Sequence, residues 1–591
     1  MSVAVVQPSR TASTRLRPFD ARQVSLAGGF WAERARINEE RTIPHGLRQL
    51  RDSGTLDNLR PTGTYNSELP FLDSDVYKWL EAVGWSTSAL GASSADDVIR
   101  LVAEAQRPDG YLNSFVRAGQ PYRDLSWGHE LYCLGHLIQA AVAWHRARDD
   151  DRLLEVAVRA ADHLPGPLLD GHPNIEMALV ELARVTGERR HLTMAAAMLE
   201  MRGHGTLPGA DRFGAAYWQD HESVRDASSV AGHAVRQLYL DCGAVDVAVE
   251  LGDDRLLGAV RRRWDDLMRT RTYLTGGMGS RHRDEAFGDP YELPPDRAYA
   301  ETCAAIAGVM LAWRLLLATG EPGYADAIER TMYNGVLPGL SLSGTEFFYT
   351  NPLQRRTHRA PGSTGQRQPW YPCACCPPNL MRMLGSWQQY LATWDDGGVQ
   401  LHQYASAEIA TELPAGPVQL RVETGYPWQG RIAVHFVATP PRPWTLSLRV
   451  PRWCRSAAVT GPGGTETLSS GAGVVKRHQR WHPGDLVELN LDLPVRITEP
   501  DPRVDAVRGC AAVERGPLVY CIEAADAPER VEIEELRWDP DRHLTVVTRP
   551  DVAESLVGVD VPMRGGLTAG AVPYFAWANR GVGGMRVWIP L

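Results

Sequence analysis

The chain has 591 residues, 44% of them hydrophobic and 23% charged, with a formal net charge of −9. Its length predicts two to four domains, and its composition is that of a soluble globular protein. The mild acidic balance gives no electrostatic reason to expect nucleic acid or an anionic membrane surface as a partner.

The N-terminus, MSVAVVQPSRTASTRLRPFD, lacks the apolar core of a signal peptide, and no apolar stretch is expected to span a bilayer. Five of the nine cysteines (133, 242, 454, 510 and 521) are scattered singly, without the spacing of a disulfide framework. A reducing cytoplasm is the expected location. Residues 24–31, VSLAGGFW, alternate like a short strand. Segment 1–31 is therefore expected to lend a strand to a β domain.

From residue 32 to 395 apolar residues recur at three- and four-residue steps, which predicts helices. A unit repeats: an apolar helix opened by a small residue and a histidine, a polar turn, and a returning amphipathic helix. Copies start at GHELYCLGHLIQAAVAWH, GHPNIEMALVELARV, GHAVRQLYLDCGAVDVAVEL and AYAETCAAIAGVMLAWRLLLA. Helical hairpins arranged in a closed ring make an (α/α)6 barrel, with an open solenoid as the alternative. In a barrel the inner helices start at one mouth, so His129, His172, His233 and Glu301 are expected to meet there. Singly, each histidine reads as a packing or capping residue; three histidines and a glutamate at equivalent positions point to a shared site.

After about residue 396 the period changes to two. VQLRVETGYPW, RIAVHFVAT, WTLSLRVP and LVELNLDLPVRI predict a β-sandwich over 396–510, with a second β-sandwich unit over 511–591.

The densest chemistry is CACCPPN at 373–379. Adjacent thiols at 375 and 376 followed by two prolines suit a stiff metal-binding loop. With Glu301 and Cys303 from AETCAA they would complete the four ligands that zinc takes, Glu301, Cys303, Cys375 and Cys376. A structural zinc or unmetallated thiols are the competing readings. Glu285, in the Gly-rich loop GSRHRDEAFGDPYELP, would hang over the same mouth or be plain solvated surface. Eighteen tryptophans can stack on sugar rings or fill the core.

These segments resemble the glycoside hydrolases related to β-L-arabinofuranosidase. The matches are DSDVYKWLEA, DGYLNSF, HELYCLGHLIQAA, GHPNIEMALVELARVTGE, GHAVRQLYL, TGGMGSRHRDEAF, AYAETCAA, FFYTNPL, PWYPCACCPPN and ERGPLVY, in order along the chain. The resemblance implies an (α/α)6 barrel followed by β-sandwich domains. It also implies retaining hydrolysis of terminal β-L-arabinofuranosyl residues, with zinc on Glu301, Cys303, Cys375 and Cys376. Cys375 would be the nucleophile and Glu285 the acid/base, with His129, His172, His233, Tyr349 and Glu301 binding the sugar. His136 shares a helix with His129 and competes for its role. Gly46, in IPHGLRQL, stands where the family commonly has a sugar-binding glutamine, which opens the alternative of another furanose. The implied partner is a short oligosaccharide or glycoconjugate, with a homodimer left open. Two other classes are a non-catalytic carbohydrate-binding protein with structural zinc and a hydrolase using metal-bound water.

Overall fold

The computed structural model describes residues 4–60, 64–86, 92–117, 119–208, 212–357, 366–469, 471, 473–581 and 583–591. The N-terminal helices are α1 (Gly29–Ile37) and α2 (Ile43–Asp52), joined by a π-helical turn. Five hairpins follow. They are α3 (Asp73–Trp85) with α4 (Ala92–Ala105), α5 (Glu130–Arg148) with α6 (Arg152–Asp162), and α7 (Ile175–Thr186) with α8 (Arg189–Met201). The last two are α9 (Ala234–Leu251) with α10 (Asp254–Thr270) and α11 (Thr302–Thr319) with α12 (Pro322–Thr331). Helix α13 (Cys376–Gly385) comes last.

The first members of the hairpins pack in sequence, α3 on α5, α5 on α7, α7 on α9, α9 on α11 and α11 on α13. Helix α13 then packs on α3 and closes a ring of six, with α1 and α2 on the outside where a sixth partner belongs. An open solenoid is thereby excluded. Outer helices carry one apolar stripe: α6 buries Leu153, Val156, Ala157, Ala160 and Ala161, the three- and four-residue steps of a helix packed on one side. Inner helices are buried all round, and every residue of α3 is buried, charged ones included. Their charges are paired: Glu81 meets Arg382 at 2.8 Å, and Asp73 accepts the backbone N–H of Ser114 at 2.7 Å.

Helix α11 corrects the expectation about membrane-spanning length. It has 18 residues with a mean hydropathy of 1.7, yet 94% of it is buried inside the protein. An inner helix surrounded by other helices is apolar on all faces for the same reason a membrane helix is.

The β segment begins with Ala392–Asp395. A five-stranded and a seven-stranded sheet meet through Phe436, whose ring lies 5.7 Å from Trp444 and 4.2 Å from Trp481. The N-terminal strand Val24–Gly28 joins the seven-stranded sheet, antiparallel to Ser406–Leu413. The strand Val495–Thr498 pairs with Cys510–Arg515 in a separate nine-stranded sheet. By sheet membership the last unit therefore starts near 495 rather than 511, because Val495 continues the chain into a new hydrogen-bonded partner. The strands of this unit are hydrogen-bonded into one connected set.

Helix and sheet regions are locked by a buried ion cluster. Arg449, with a fully buried side chain, meets Glu329 and Asp326 of α12 at 2.6 Å each. Glu329 also accepts hydrogen bonds from Tyr426 at 2.6 Å and Trp453 at 2.9 Å. Removing one member leaves an uncompensated buried charge, so Glu329→Ala is expected to cost about 3–5 kcal/mol. Calorimetry should show a markedly lower unfolding temperature. Asp326→Ala, at a carboxylate still partly open to water, should cost less.

Candidate active site

The inner helices begin on the same side of the ring. His129 immediately precedes α5, His233 caps α9, Glu301 caps α11 and Cys375 caps α13; His172 lies three residues before α7. Each helix start presents unpaired backbone N–H groups and a partial positive charge, so the shared mouth favours anions and oxygen acceptors. In α13 Pro377 and Pro378 fall in the first turn, where a missing N–H costs nothing. A cavity of about 540 Å³ opens here, and His129, His172, His233, Glu285, Glu301, Cys303, Tyr349, Cys373 and Cys375 all line it. Cys376 sits behind them, fully buried.

Glu301, Cys303, Cys375 and Cys376 offer ligand atoms all within 4.8 Å of one another, so the group can hold a metal ion. Cys303 and Cys376 sulfurs are 3.3 Å apart and Cys375 and Cys376 sulfurs 3.8 Å apart, too far for disulfides. Glu301 Oε1 is 3.7 Å from both Cys375 and Cys376, while its Oε2 is buried with no hydrogen-bond partner. Burial, followed by the nearby Cys375 and Glu285 charges, pushes the Glu301 carboxyl well above its ordinary value. Cys303 is held at about 6: burial opposes ionisation, but hydrogen bonds from Cys375 and Cys376 outweigh it. Four donors that would all carry negative charge, one with an orphaned oxygen, are unstable alone and relieved by a cation. The buried Lys78 ammonium, 5.3 Å from the Tyr132 ring, supplies positive charge from α3.

Glu285 stands beside this group. The loop carrying it folds back through paired backbone hydrogen bonds between Arg281 and Ala286, and the Glu285 carbonyl accepts the Ala234 N–H at 3.0 Å, at the start of α9. Glu285 itself is left-handed, with φ of 55°, a conformation that aims its side chain inward. Its Oε2 meets His233 Nε2 at 2.8 Å. Burial raises the Glu285 carboxyl, yet the His233 hydrogen bond, Tyr299 and the Arg236 charge together bring it down to about 2. In the free protein it is therefore a base. The pair His233–Glu285 also lies within 4.8 Å of Glu301, but its two members already satisfy each other and need no metal.

The structure separates the two histidines of α5. His129 lines the cavity, its Nδ1 at 2.5 Å from the Trp127 carbonyl. His136 is fully buried one layer below, 4.6 Å from the Tyr132 ring. Cys373 lines the cavity 3.8 Å from the Tyr349 hydroxyl but lies outside the four-donor group. Tyr349 Oη is 3.2 Å from Cys375 Sγ. Gly46 is packed against α13 instead of lining the cavity; a β-carbon there would meet Met381 Cε at 2.5 Å. The sequence reading missed Tyr299, Tyr132 and Arg236. Arg236 was legible in principle, since it falls three residues after His233 in the first turn of α9, on the same face.

Burial, reinforced by the Arg236 charge, brings His129 down to about 3 and His172 well below its ordinary value. Both are neutral in the fold but gain a proton on unfolding below about pH 6.5. The unfolded state then binds more protons, so stability should fall as the pH drops from about 6.5 towards 3. Thermal midpoints across that range should show the decline, and His129→Asn should flatten it.

Comparison with known proteins meets this geometry. The family model described as the beta-L-arabinofuranosidase, GH127 catalytic domain matches residues 23–389. Models of the GH127 middle and C-terminal domains match residues 398–493 and 495–590. The chain is 33% identical to a non-reducing end beta-L-arabinofuranosidase of Bifidobacterium longum subsp. longum, over 88% of this chain and 89% of that one. A solved GH127 beta-L-arabinofuranosidase from Geobacillus stearothermophilus T6 superposes with a TM-score of 0.90 at 34% identity, covering 96% of this chain and 99% of that one. A second solved structure, a GH127 beta-arabinofuranosidase, gives 0.91 at 31% identity, over 99% and 98%. With matches running from residue 23 to residue 590, the chain belongs to glycoside hydrolase family 127 and is a glycoside hydrolase.

Proposed function

We propose that this enzyme removes terminal β-L-arabinofuranosyl residues with retention of configuration, using Cys375 as nucleophile and Glu285 as acid/base. The observation that carries the reading is the position of Cys375 Sγ. It lies on the cavity wall, 3.7 Å from Glu301, with Glu285 within 4.8 Å of that same glutamate. A nucleophile and an acid/base flanking one sugar is the arrangement of retaining glycosidases, here with a thiolate in place of the first carboxylate. The six-helix ring is read as an (α/α)6 barrel over residues 32–395, with β domains after it.

Zinc is the metal that fits the four donors. Zinc–thiolate bonds of about 2.3 Å at tetrahedral angles set sulfur–sulfur edges of about 3.8 Å, and the edges here are 3.3 and 3.8 Å. Glu301, Cys303, Cys375 and Cys376 would hold it, and when bound it supplies the positive charge that keeps the thiols ionised at neutral pH. Four protein donors leave no position for an activated water, which disfavours hydrolysis by metal-bound hydroxide. A purely structural role is disfavoured because Cys375, one of the three sulfur donors, lines the cavity together with Glu285.

In the reaction Cys375 Sγ forms a bond to the anomeric carbon while the glycosidic oxygen leaves, taking the proton of Glu285. Substrate sealing the cavity favours that proton, because burial is the contribution that raises the Glu285 carboxyl. Glu285, now a carboxylate, takes a proton from water as its oxygen attacks the anomeric carbon and the carbon–sulfur bond breaks. His233 orients Glu285 at 2.8 Å, and the neutral rings of His129 and His172, whose Nδ1–H groups go to the Trp127 and Pro173 carbonyls, offer Nε2 as an acceptor to sugar hydroxyls. Tyr349 holds Cys375 at 3.2 Å.

Elemental analysis is expected to find one zinc per chain, and Cys303→Ser to lower metal content and activity together. Full zinc occupancy in a Cys303→Ser, Cys376→Ser double variant would remove this ligand set. A bromoacetamide derivative of β-L-arabinofuranose should label Cys375, as read by peptide mass spectrometry, and Cys375→Ala should abolish turnover. Labelling of Glu301, with turnover retained in Cys375→Ala, would return the enzyme to a two-carboxylate scheme.

A further inference from the structure

We propose that the outer part of the cavity is a leaving-group subsite for a second sugar ring, stacked against Phe115 and Trp127 and hydrogen-bonded by Arg236. This rests on the roles given above to Cys375 and Glu285.

Displacement at the anomeric carbon puts the departing oxygen opposite the attacking sulfur and next to the acid. From Cys375 the contacts run outward through the Tyr349 hydroxyl at 3.2 Å and the Tyr299 ring, 6.2 Å from that of Tyr349. Tyr299 adjoins Glu285, which binds His233 at 2.8 Å; the His233 ring is 5.8 Å from Tyr217, and Tyr217 is 6.3 Å from Trp127. Trp127, Tyr217 and Arg236 thus line the same cavity past Glu285 and His233 as counted from Cys375, where a group leaving next to the acid would meet them.

Arg236 is only 3% exposed, yet among the described residues its guanidinium forms no ion pair or hydrogen bond. Nε and Nη1 have no acceptor, and the group is held by aromatic faces, 4.5 Å from the Trp218 ring and 4.8 Å from Tyr217. Nε and Nη1 are sealed from solvent, so the donor that this cavity-lining cation can turn to a ligand is Nη2. Guanidinium only donates, so that ligand brings acceptor oxygens. Phe115 supplies the second half of the site. It is a large aromatic at the cavity wall, 44% exposed, and steadied edge-on against Tyr65 at 5.1 Å. Aromatic faces with one convergent donor suit a ring that has an apolar face and hydroxyl oxygens, which is a sugar. At about 540 Å³ the cavity is in the range that houses larger ligands than one five-membered ring.

The test compares kcat/KM on a β-L-arabinofuranosyl disaccharide with kcat/KM on β-L-arabinofuranosyl fluoride, whose leaving group has no ring. Both values report the step in which the leaving group is still attached. Phe115→Ala is expected to lower the disaccharide-to-fluoride ratio about tenfold, and Arg236→Gln to lower it similarly. Ratios staying within about twofold of the wild type for both variants would overturn the subsite. Because Phe115 is exposed, its variant remains informative if Arg236→Gln folds poorly. Absence of turnover of both substrates by the wild type would instead overturn the parent reading, and this one with it.

Discussion

Two helix N-termini share one charged problem. Helices α11 and α13 begin at Glu301 and Cys375, so their first turns converge on four side chains that are acidic or become so. Aligned peptide dipoles lower the cost of gathering negative charge there, but only within the first turn. That short range explains why all four donors are capping or first-turn residues. It also explains why the ring must close, since α13 reaches its place beside α11 by packing on α3 as well.

The rest of the cavity is tuned around that cluster. Burial keeps the histidines neutral, and Arg236 reinforces this from the wall by repelling a proton on His129 and His172. The same charge helps to hold Glu285 ionised. One residue thereby separates the protonation states of the cavity-lining histidines and of the carboxylate. The charge that does this is itself shielded by Trp218 and Tyr217, so water does not screen it.

The C-terminal sheet supports the site without lining the cavity. Phe348, the neighbour of Tyr349, stacks on Trp577 at 4.8 Å and 14°. Arg367 donates to the Trp577 carbonyl at 2.7 Å and to Pro338, and Tyr574 donates to the Pro352 carbonyl at 2.8 Å. These contacts clamp residues 348–352 against the start of α11, where the Thr302 N–H meets the Tyr349 carbonyl at 2.9 Å. Tyr349 is thus set beside Cys375 by a domain more than two hundred residues downstream. A loop fixed at both sides in this way holds the Tyr349 hydroxyl 3.2 Å from Cys375 Sγ.

What the sequence determined by itself was periodicity and residue chemistry. Steps of three and four marked the helices, the switch to two marked the sheets, and the pairing of CACC with AETC identified a metal-type cluster. Those signals are local, so they survive without knowledge of the fold. Tertiary structure decided everything that depends on distance between separated segments. It placed His129 rather than His136 on the cavity, because a single turn of α5 faces the mouth and the next two face the ring interior. It moved the last domain's start to Val495, since a strand's membership is set by its hydrogen-bonding partner and not by its own pattern. It made Gly46 a packing residue under Met381. Neither Arg236, legible only as sharing a helix face with His233, nor Phe115 revealed its place at the cavity, for the same reason. A lone arginine on a helix and a lone phenylalanine in a loop acquire meaning only from the aromatic rings, and the empty space, that folding brings to them.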